Sequence, residues 1–112
     1  PFNCKLVKAF SMDALSKFED ESLDFVYIDG NHEYSFVTRD IVEWSKKVKP
    51  GGIISGHDYY IPKQHNTKCH VVWAVNGYTA AYRINPWFLV GTKAVVSGEA
   101  RDKTRSWFWV KN

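Results

Sequence analysis

Two short clusters hold most of the chemistry-bearing side chains of this chain. The first is Asp29, Asn31, His32, Glu33 and Tyr34; the second is His57, Asp58, Tyr59 and Tyr60. Each stands at the end of an apolar run. If those runs are neighbouring parallel strands, about 4.8 Å apart, Asp29 and Asp58 reach the same sheet edge with His32 and His57 beside them. Two carboxylates and two imidazoles can hold a divalent cation. That mixture suits Mn, Fe, Zn or Ni better than Mg, which prefers oxygen ligands alone. The same groups can equally form a general base with an orienting acid. Taken singly, each also has a plain structural use, capping turns and helix starts or satisfying loop backbone.

Other constellations fail on their own chemistry. Gly51 and Gly56 have the glycine spacing of a phosphate-binding GxxxxGK[ST] loop, but His57-Asp58 replace its Lys-Ser/Thr and the first glycine precedes the strand. No GxGxxG occurs. His65 and Cys69 stand four apart, yet no third ligand is evident and His70 points elsewhere. Trp107, Phe108 and Trp109 could stack on rings or bases. Alternation in a terminal strand more simply puts one face in the core and one at a contact. Ser11 has no base in sequence reach that would mark it as a nucleophile.

The elements that must position the two clusters alternate short apolar runs with helical periods, a pattern of α/β class with parallel strands. Cys4–Ala9 reads as a short strand. From Ser11, the spacing Met12, Leu15, Phe18 fits a short amphipathic helix with Ser11 as its N-cap. Leu23–Asp29 is almost continuously apolar, as in a strand covered on both faces, and stops at the turn signal Asp29-Gly30. A helix follows from about Ser35 with Val37, Ile41, Trp44 and Val48 on one stripe. Lys46, Lys47 and Lys49 suit its carboxyl-terminal dipole, and Pro50-Gly51-Gly52 stop it. Ile53-Ile54 open the next strand, which ends near His57-Asp58. Beyond a polar loop, Val71, Val75, Tyr78 and Tyr82 share a helical face weakened by Gly77. Two aromatic strands, Trp87–Gly91 and Ser106–Lys111, close the chain as an antiparallel hairpin linked through Thr92–Arg105.

Composition limits the function classes. A chain of 112 residues with 45% hydrophobic and 16% aromatic content is one domain's worth of foldable sequence rather than a disordered segment. No apolar run approaches the roughly 18 residues that span a bilayer, and no signal peptide opens the chain, so no membrane partner and a cytoplasmic location are expected. Cys4 and Cys69 make no paired framework and read as reduced thiols. The net charge of +3 hides an asymmetry: residues 1–60 hold 7 Lys/Arg against 10 Asp/Glu, residues 61–112 hold 8 against 2. Lys93, Arg101, Lys103 and Arg105 are scattered about the hairpin. Scattered charge is a solvated face more often than a nucleic-acid surface, so nucleic acid is not the expected partner.

With the residues in place, a resemblance can be named. LDFVYIDGNHEY (23–34), then a helix, then KPGGIISGHDYY (49–60), resembles the second half of a class I S-adenosylmethionine-dependent methyltransferase, in the subgroup with D-G-x-H-x-Y and G-G-x-x-x-x-H-D motifs. The resemblance runs from about Lys5 to Val110. It implies a Rossmann-like sheet, here its third to seventh strands, ending in an antiparallel hairpin. It places Ser11 and Met12 where such enzymes contact the adenine, and Asp29 near the methionine end of the cofactor. It further implies a metal site of Asp29, His57 and Asp58 for Mg or Mn, and His32 as base toward a substrate hydroxyl. The implied reaction is O-methylation of a small-molecule or sugar-like acceptor, with the metal assisting.

The departures shape the remaining expectations. The glycine-rich first turn and the acidic residue that grips the ribose are absent, because the first two strands of such a fold are not in these residues. Phe10 stands where many relatives carry a carboxylate. A fourth strand without the neighbouring first strand exposes an apolar edge. The chain is therefore expected to be a partial methyltransferase domain, inactive alone, that pairs with a missing N-terminal half or forms a homo-oligomer. Two alternatives stand beside this: a non-catalytic, dimerising half-fold or binding module, and a metal-dependent hydrolase-like site on Asp29, His32, His57 and Asp58.

Overall fold

The computed structural model describes residues 3–91, 97 and 104–112. Its elements run α1 (Ser11–Ala14, continued by a 3-10 turn, Leu15–Lys17), β1 (Leu23–Ile28), α2 (Tyr34–Lys47), β2 (Val48–Tyr59), α3 (Val71–Ala81), β3 (Phe88–Val90) and β4 (Arg105–Val110). The strands form one sheet in the order β1-β2-β4-β3. β1 and β2 are parallel, whereas β4 runs antiparallel to both β2 and β3. Two parallel strands need a crossover, and α2 supplies it. The terminal hairpin then inserts β4, its second strand, next to β2.

Register assigns the faces. Val26 pairs with Ile54 and Ile28 with Gly56 across β1 and β2; Ile54 pairs with Trp109 and Gly56 with Trp107 across β2 and β4. These residues share the face under α2 and α3. There Ile54, Trp107 and Trp109 are buried with Val37 and Ile41 of α2 and Val71, Ala74 and Val75 of α3. Trp107 and Trp109 stack at 5.2 Å between centroids, and Tyr78 stacks on Trp109 at 5.6 Å. Gly56 exists for this packing: a Cβ there would drive into the Trp107 ring and lie 2.7 Å from the Ile28 carbonyl. The α2 stripe holds as far as Trp44, with Val37 and Ile41 buried and Trp44 half-buried; Val48, expected on the same helical stripe, is buried as the first residue of β2 instead. Packing of α3 also outweighs the propensity cost of Gly77, which lies within an unbroken helix.

The opposite face is different. Phe25 and Tyr27 of β1 stack on one another, as do Phe88 and Phe108 of β3 and β4. Phe25 is 54% exposed, Tyr27 44% and Phe88 43%. Among the described residues no helix packs on this face, and β1 has no partner on its outer side.

Four expectations change. Cys4–Ala9 is not a strand: it is irregular and almost wholly exposed, since extended backbone without a ladder partner gains nothing over solvated chain. The sheet accordingly has four strands among the described residues rather than five. Ser11 is the first helical residue and not the N-cap, a place taken by Phe10 without a side-chain cap. The strand expected to open at Ile53 begins at Val48, because Pro50–Gly52 bend within it rather than end a helix. The linker Thr92–Arg105, with Lys93, Arg101 and Lys103, lies mostly outside the described residues.

Candidate functional site

β1 delivers Asp29 and β2 delivers His57 and Asp58 to the same, carboxyl edge of the sheet, since Ile28 and Gly56 are register partners. This is the edge at which open α/β sheets bind ligands. The β2–β4 register slips between Gly56 and Tyr59, and Asp58 takes φ 62° at that irregularity. Strict alternation would send His57 and Asp58 to opposite faces. The bulge lets both reach one site, and Asp tolerates positive φ better than most residues.

His32 arrives from the loop between β1 and α2. Its Nε2 lies 2.8 Å from Asp58 Oδ2 and 3.6 Å from Asp29 Oδ1. His57 Nδ1 lies 3.3 Å from Asp58 Oδ1 and 4.0 Å from Asp29 Oδ1. Thr104 donates its hydroxyl to Asp58 Oδ1 at 3.0 Å and sits 3.4 Å from His57 Nε2. Asp58 is thus the hub, with its side chain 16% exposed, whereas the Asp29 side chain is 51% exposed and faces solvent. One ligand atom each from Asp29, His32 and Asp58 lies within 4.8 Å of the others. His57 flanks this set from the Asp58 side.

The loop carrying His32 is braced from α3. The His70 backbone N–H donates to the His32 carbonyl at 2.8 Å, and His70 Nδ1 accepts the Tyr34 N–H at 2.9 Å. Asn31 Oδ1 accepts the Glu33 N–H at 2.9 Å, an Asx turn into α2. His70 is therefore a structural group at the mouth of the site. Behind it, the buried Cys69 thiol points to the Asp58 carbonyl at 3.7 Å.

Ser11 meets a group that spacing did not single out. Its hydroxyl donates to Asp40 Oδ1 at 2.6 Å and accepts the Trp44 indole N–H at 2.7 Å. Asp40 is 7% exposed. Burial pushes its carboxyl above the ordinary carboxylate range, against the smaller opposing pulls of the Ser11 bond and Arg39. Ser11, Asp40 and Trp44 line a cleft of about 290 Å³ with Val26–Gly30, so Asp29 belongs both to this cleft and to the His/Asp group. Met12 is not among the lining residues. A larger cleft of about 420 Å³, between Ser45, Tyr78, Trp109 and Lys111, lies at the other end of the sheet. It is lined by no His, Asp or Glu, and the Lys111 ammonium is tied to the Ser45 and Val48 carbonyls.

Sequence reading found Asp29, His32, His57 and Asp58 because each lies within a few residues of a strand end. It missed Asp40, Trp44, His70 and Thr104. For Asp40 the available signal was a charged residue next to Ile41 on the apolar stripe of an amphipathic helix. Thr104 offered none, being 46 residues from its partner.

The chain is thus an open α/β sheet of Rossmann-like type closed by an antiparallel hairpin, with paired His and Asp groups and a cleft at its carboxyl edge. The model of a family described as "Methyltransferase domain" matches residues 2–59, and the chain belongs to that family. Among solved structures, a "putative O-methyltransferase" from Klebsiella pneumoniae shares the fold at a TM-score of 0.51 and 15% identity, over 91% of this chain and 47% of that one. Among curated proteins, the uncharacterised protein y4gI of Sinorhizobium fredii (strain NBRC 101917 / NGR234) is 33% identical over 73 residues, which are 65% of this chain and 8% of that protein. The chain thus spans about half of the matched structure and a small part of the curated relative.

Proposed function

We propose that this chain carries the acceptor-activating side of an S-adenosylmethionine-dependent O-methyltransferase for small hydroxylated molecules, sugar-like ones included. The observation that carries this reading is the His32–Asp58 pair at 2.8 Å, on the carboxyl edge of a methyltransferase sheet and one residue group away from the Ser11–Asp40 cleft. S-adenosylmethionine supplies an electrophilic methyl group on a sulfonium, and the products are a methyl ether, S-adenosylhomocysteine and a proton. The chain's task is to remove that proton. Asp58 accepts the His32 Nε2–H and holds the ring, which leaves Nδ1 to take the hydroxyl proton of the acceptor. Thr104 holds the Asp58 carboxylate in turn, and His70 fixes the loop that carries the base. The cleft beside Asp29 suits the cofactor's nucleoside. The phosphate-free glycine turn and ribose carboxylate of such enzymes would come from sequence outside these residues.

A second reading has its own observation. Asp29, His32 and Asp58 form a mixed nitrogen and oxygen set of the right spread for Mn, and less well for Mg. A cation held there would lower the pKa of a hydroxyl bound beside it. His32 Nε2 would then be a ligand, and His57 the remaining imidazole next to the carboxylates. The two readings separate in one experiment on the full-length protein: methyl transfer from radiolabelled S-adenosylmethionine to a panel of sugars and catechols, with EDTA or with added Mn. Activity that survives EDTA and is lost in His32→Ala supports the dyad. Activity restored only by Mn supports the metal. No transfer to any hydroxyl, with folded protein and both supplements, removes O-methylation.

A further inference from the structure

Among the described residues, two buried side-chain polar atoms lack a hydrogen-bond partner, Thr38 Oγ1 and Ser45 Oγ. Ser45 is 4% exposed and lines the cleft of about 420 Å³ at the end of the sheet away from the His/Asp group. A helical Ser or Thr often returns its hydroxyl to the carbonyl four residues back, as Thr79 does to Val75 at 2.8 Å. Ser45 makes no such bond. A buried hydroxyl in that state is costly unless a bound group supplies the partner. The Ser45 carbonyl meanwhile accepts from Lys111 Nζ at 2.9 Å, and the Val48 carbonyl accepts from the same nitrogen at 2.7 Å. An ammonium carries three N–H groups, so one is left over. The lining holds no Asp or Glu to meet the charge. One corner of the cleft therefore combines a cation with a spare donor and an unpaired hydroxyl. The other walls are apolar. Trp109 and Ile54, each almost fully buried, form the floor, and Tyr78 stacks on Trp109. Tyr82, 64% exposed, stands 4.6 Å from Tyr78 between centroids.

We propose that this cleft is a binding site for a small planar aromatic carboxylate, separate from the methyl-transfer site and independent of the cofactor reading above. The carboxylate accepts the third Lys111 N–H and the Ser45 hydroxyl, and the ring lies against Tyr78 and Tyr82. Three features select this class of ligand. The volume is within the range of small-molecule pockets and holds one or two fused rings. Tyrosine and tryptophan rings at the floor and mouth favour a flat aromatic body over a flexible chain. The donor corner carries a positive charge, so an anionic acceptor gains a charge-assisted hydrogen bond that a neutral amide does not.

The test is titration calorimetry on the full-length protein with three probes: 2-naphthoate, its neutral amide 2-naphthamide, and hexanoate, which keeps the charge without the rings. The wild type should bind 2-naphthoate saturably below about 1 mM, and at least about ten-fold more tightly than either of the others. Lys111→Met should bring the acid and the amide to equal affinity. Ser45→Ala should weaken 2-naphthoate about five-fold without lowering Tm, because it removes a hydroxyl that has no partner in the free protein. That pairing of weaker binding with undiminished stability is one a purely structural Ser45 would not give, and it decides the matter if Lys111→Met does not fold. Tyr82→Ala, at an exposed ring, should weaken both naphthyl probes by a similar factor and leave hexanoate unchanged. Folded wild type that binds no 2-naphthoate overturns the proposal, as does equal binding of acid and amide. So does wild-type affinity for 2-naphthoate in Ser45→Ala or in Tyr82→Ala.

Discussion

At the scale of the residue, the site is organised by one carboxylate. Asp58 receives His32, Thr104 and, more distantly, His57. Replacing it by Asn is the informative change, because Asn tolerates φ near 62° while it removes the charge and turns one of the two accepting oxygens into a donor. Asp58→Asn and His32→Ala should each lower kcat of methyl transfer by about 10²-fold or more with little change in Tm. Radiolabel transfer and thermal melts on the same samples check this. Asp40 has a stability signature of a different sign from most carboxylates. Its folded pKa is raised above 3.8, so the folded state holds the proton more tightly than the unfolded chain. The associated stabilisation is full below the unfolded pKa and is lost as pH rises through the folded one. Asp40→Asn cannot ionise. Its Tm relative to wild type should therefore become more favourable as pH rises past the ordinary carboxylate range, and a difference that is flat with pH would contradict the burial argument.

At the scale of the element, β2 is the strand on which everything depends. It pairs with β1 and β4, carries Gly56 under Trp107, and ends in the bulge that presents His57 and Asp58. A methyl group at Gly56 has nowhere to go, since ring and carbonyl lie on either side of it. Gly56→Ala should cost about 1–3 kcal/mol or more by overpacking, measured as a lower denaturation midpoint with unchanged m-value. Gly51, at φ 86° with open space about it, owes its identity to backbone conformation instead. Helix α2 works on both sides of the site. Its first residue, Tyr34, is tied to His70, and its middle presents Asp40 and Trp44 to Ser11.

At the scale of the whole molecule, the sheet has one covered face and one bare one. Phe25 and Tyr27 lie on the bare face and also on the unpaired edge of β1. An unpaired strand edge that also carries exposed stacked aromatic rings is a template for pairing, so this surface is expected to have a partner, either further sequence of the same protein or a second copy. The 112-residue chain alone should therefore bind a hydrophobic dye and self-associate at micromolar concentration. Sedimentation would show this, and Phe25→Lys with Tyr27→Lys should reduce it. A clean monomer without dye binding would show that the face is content in water. No helix among the described residues is long and apolar enough to cross a membrane.

What the residues determined by themselves was local. The run 23–28 is apolar enough to be a strand whatever surrounds it, the 37–41–44 stripe is a helix with a core-facing side, and Asp29, His32, His57 and Asp58 stand where strands stop. Their convergence needed only the parallel pairing that those patterns already implied. Tertiary structure decided the rest. Segment 4–9 has strand-like composition and no strand, because a ladder requires a neighbour. Ser11 looked like a cap and became a bridge, because docking of α1 on α2 put Asp40 and Trp44 within its reach. Thr104 joined the site from 46 residues away, because β4 enters the sheet beside β2. Side-chain type and spacing encode what a segment can do within its own turn or strand. Which distant group completes its hydrogen bonds is set by how helices and strands pack, and no local pattern carries that information.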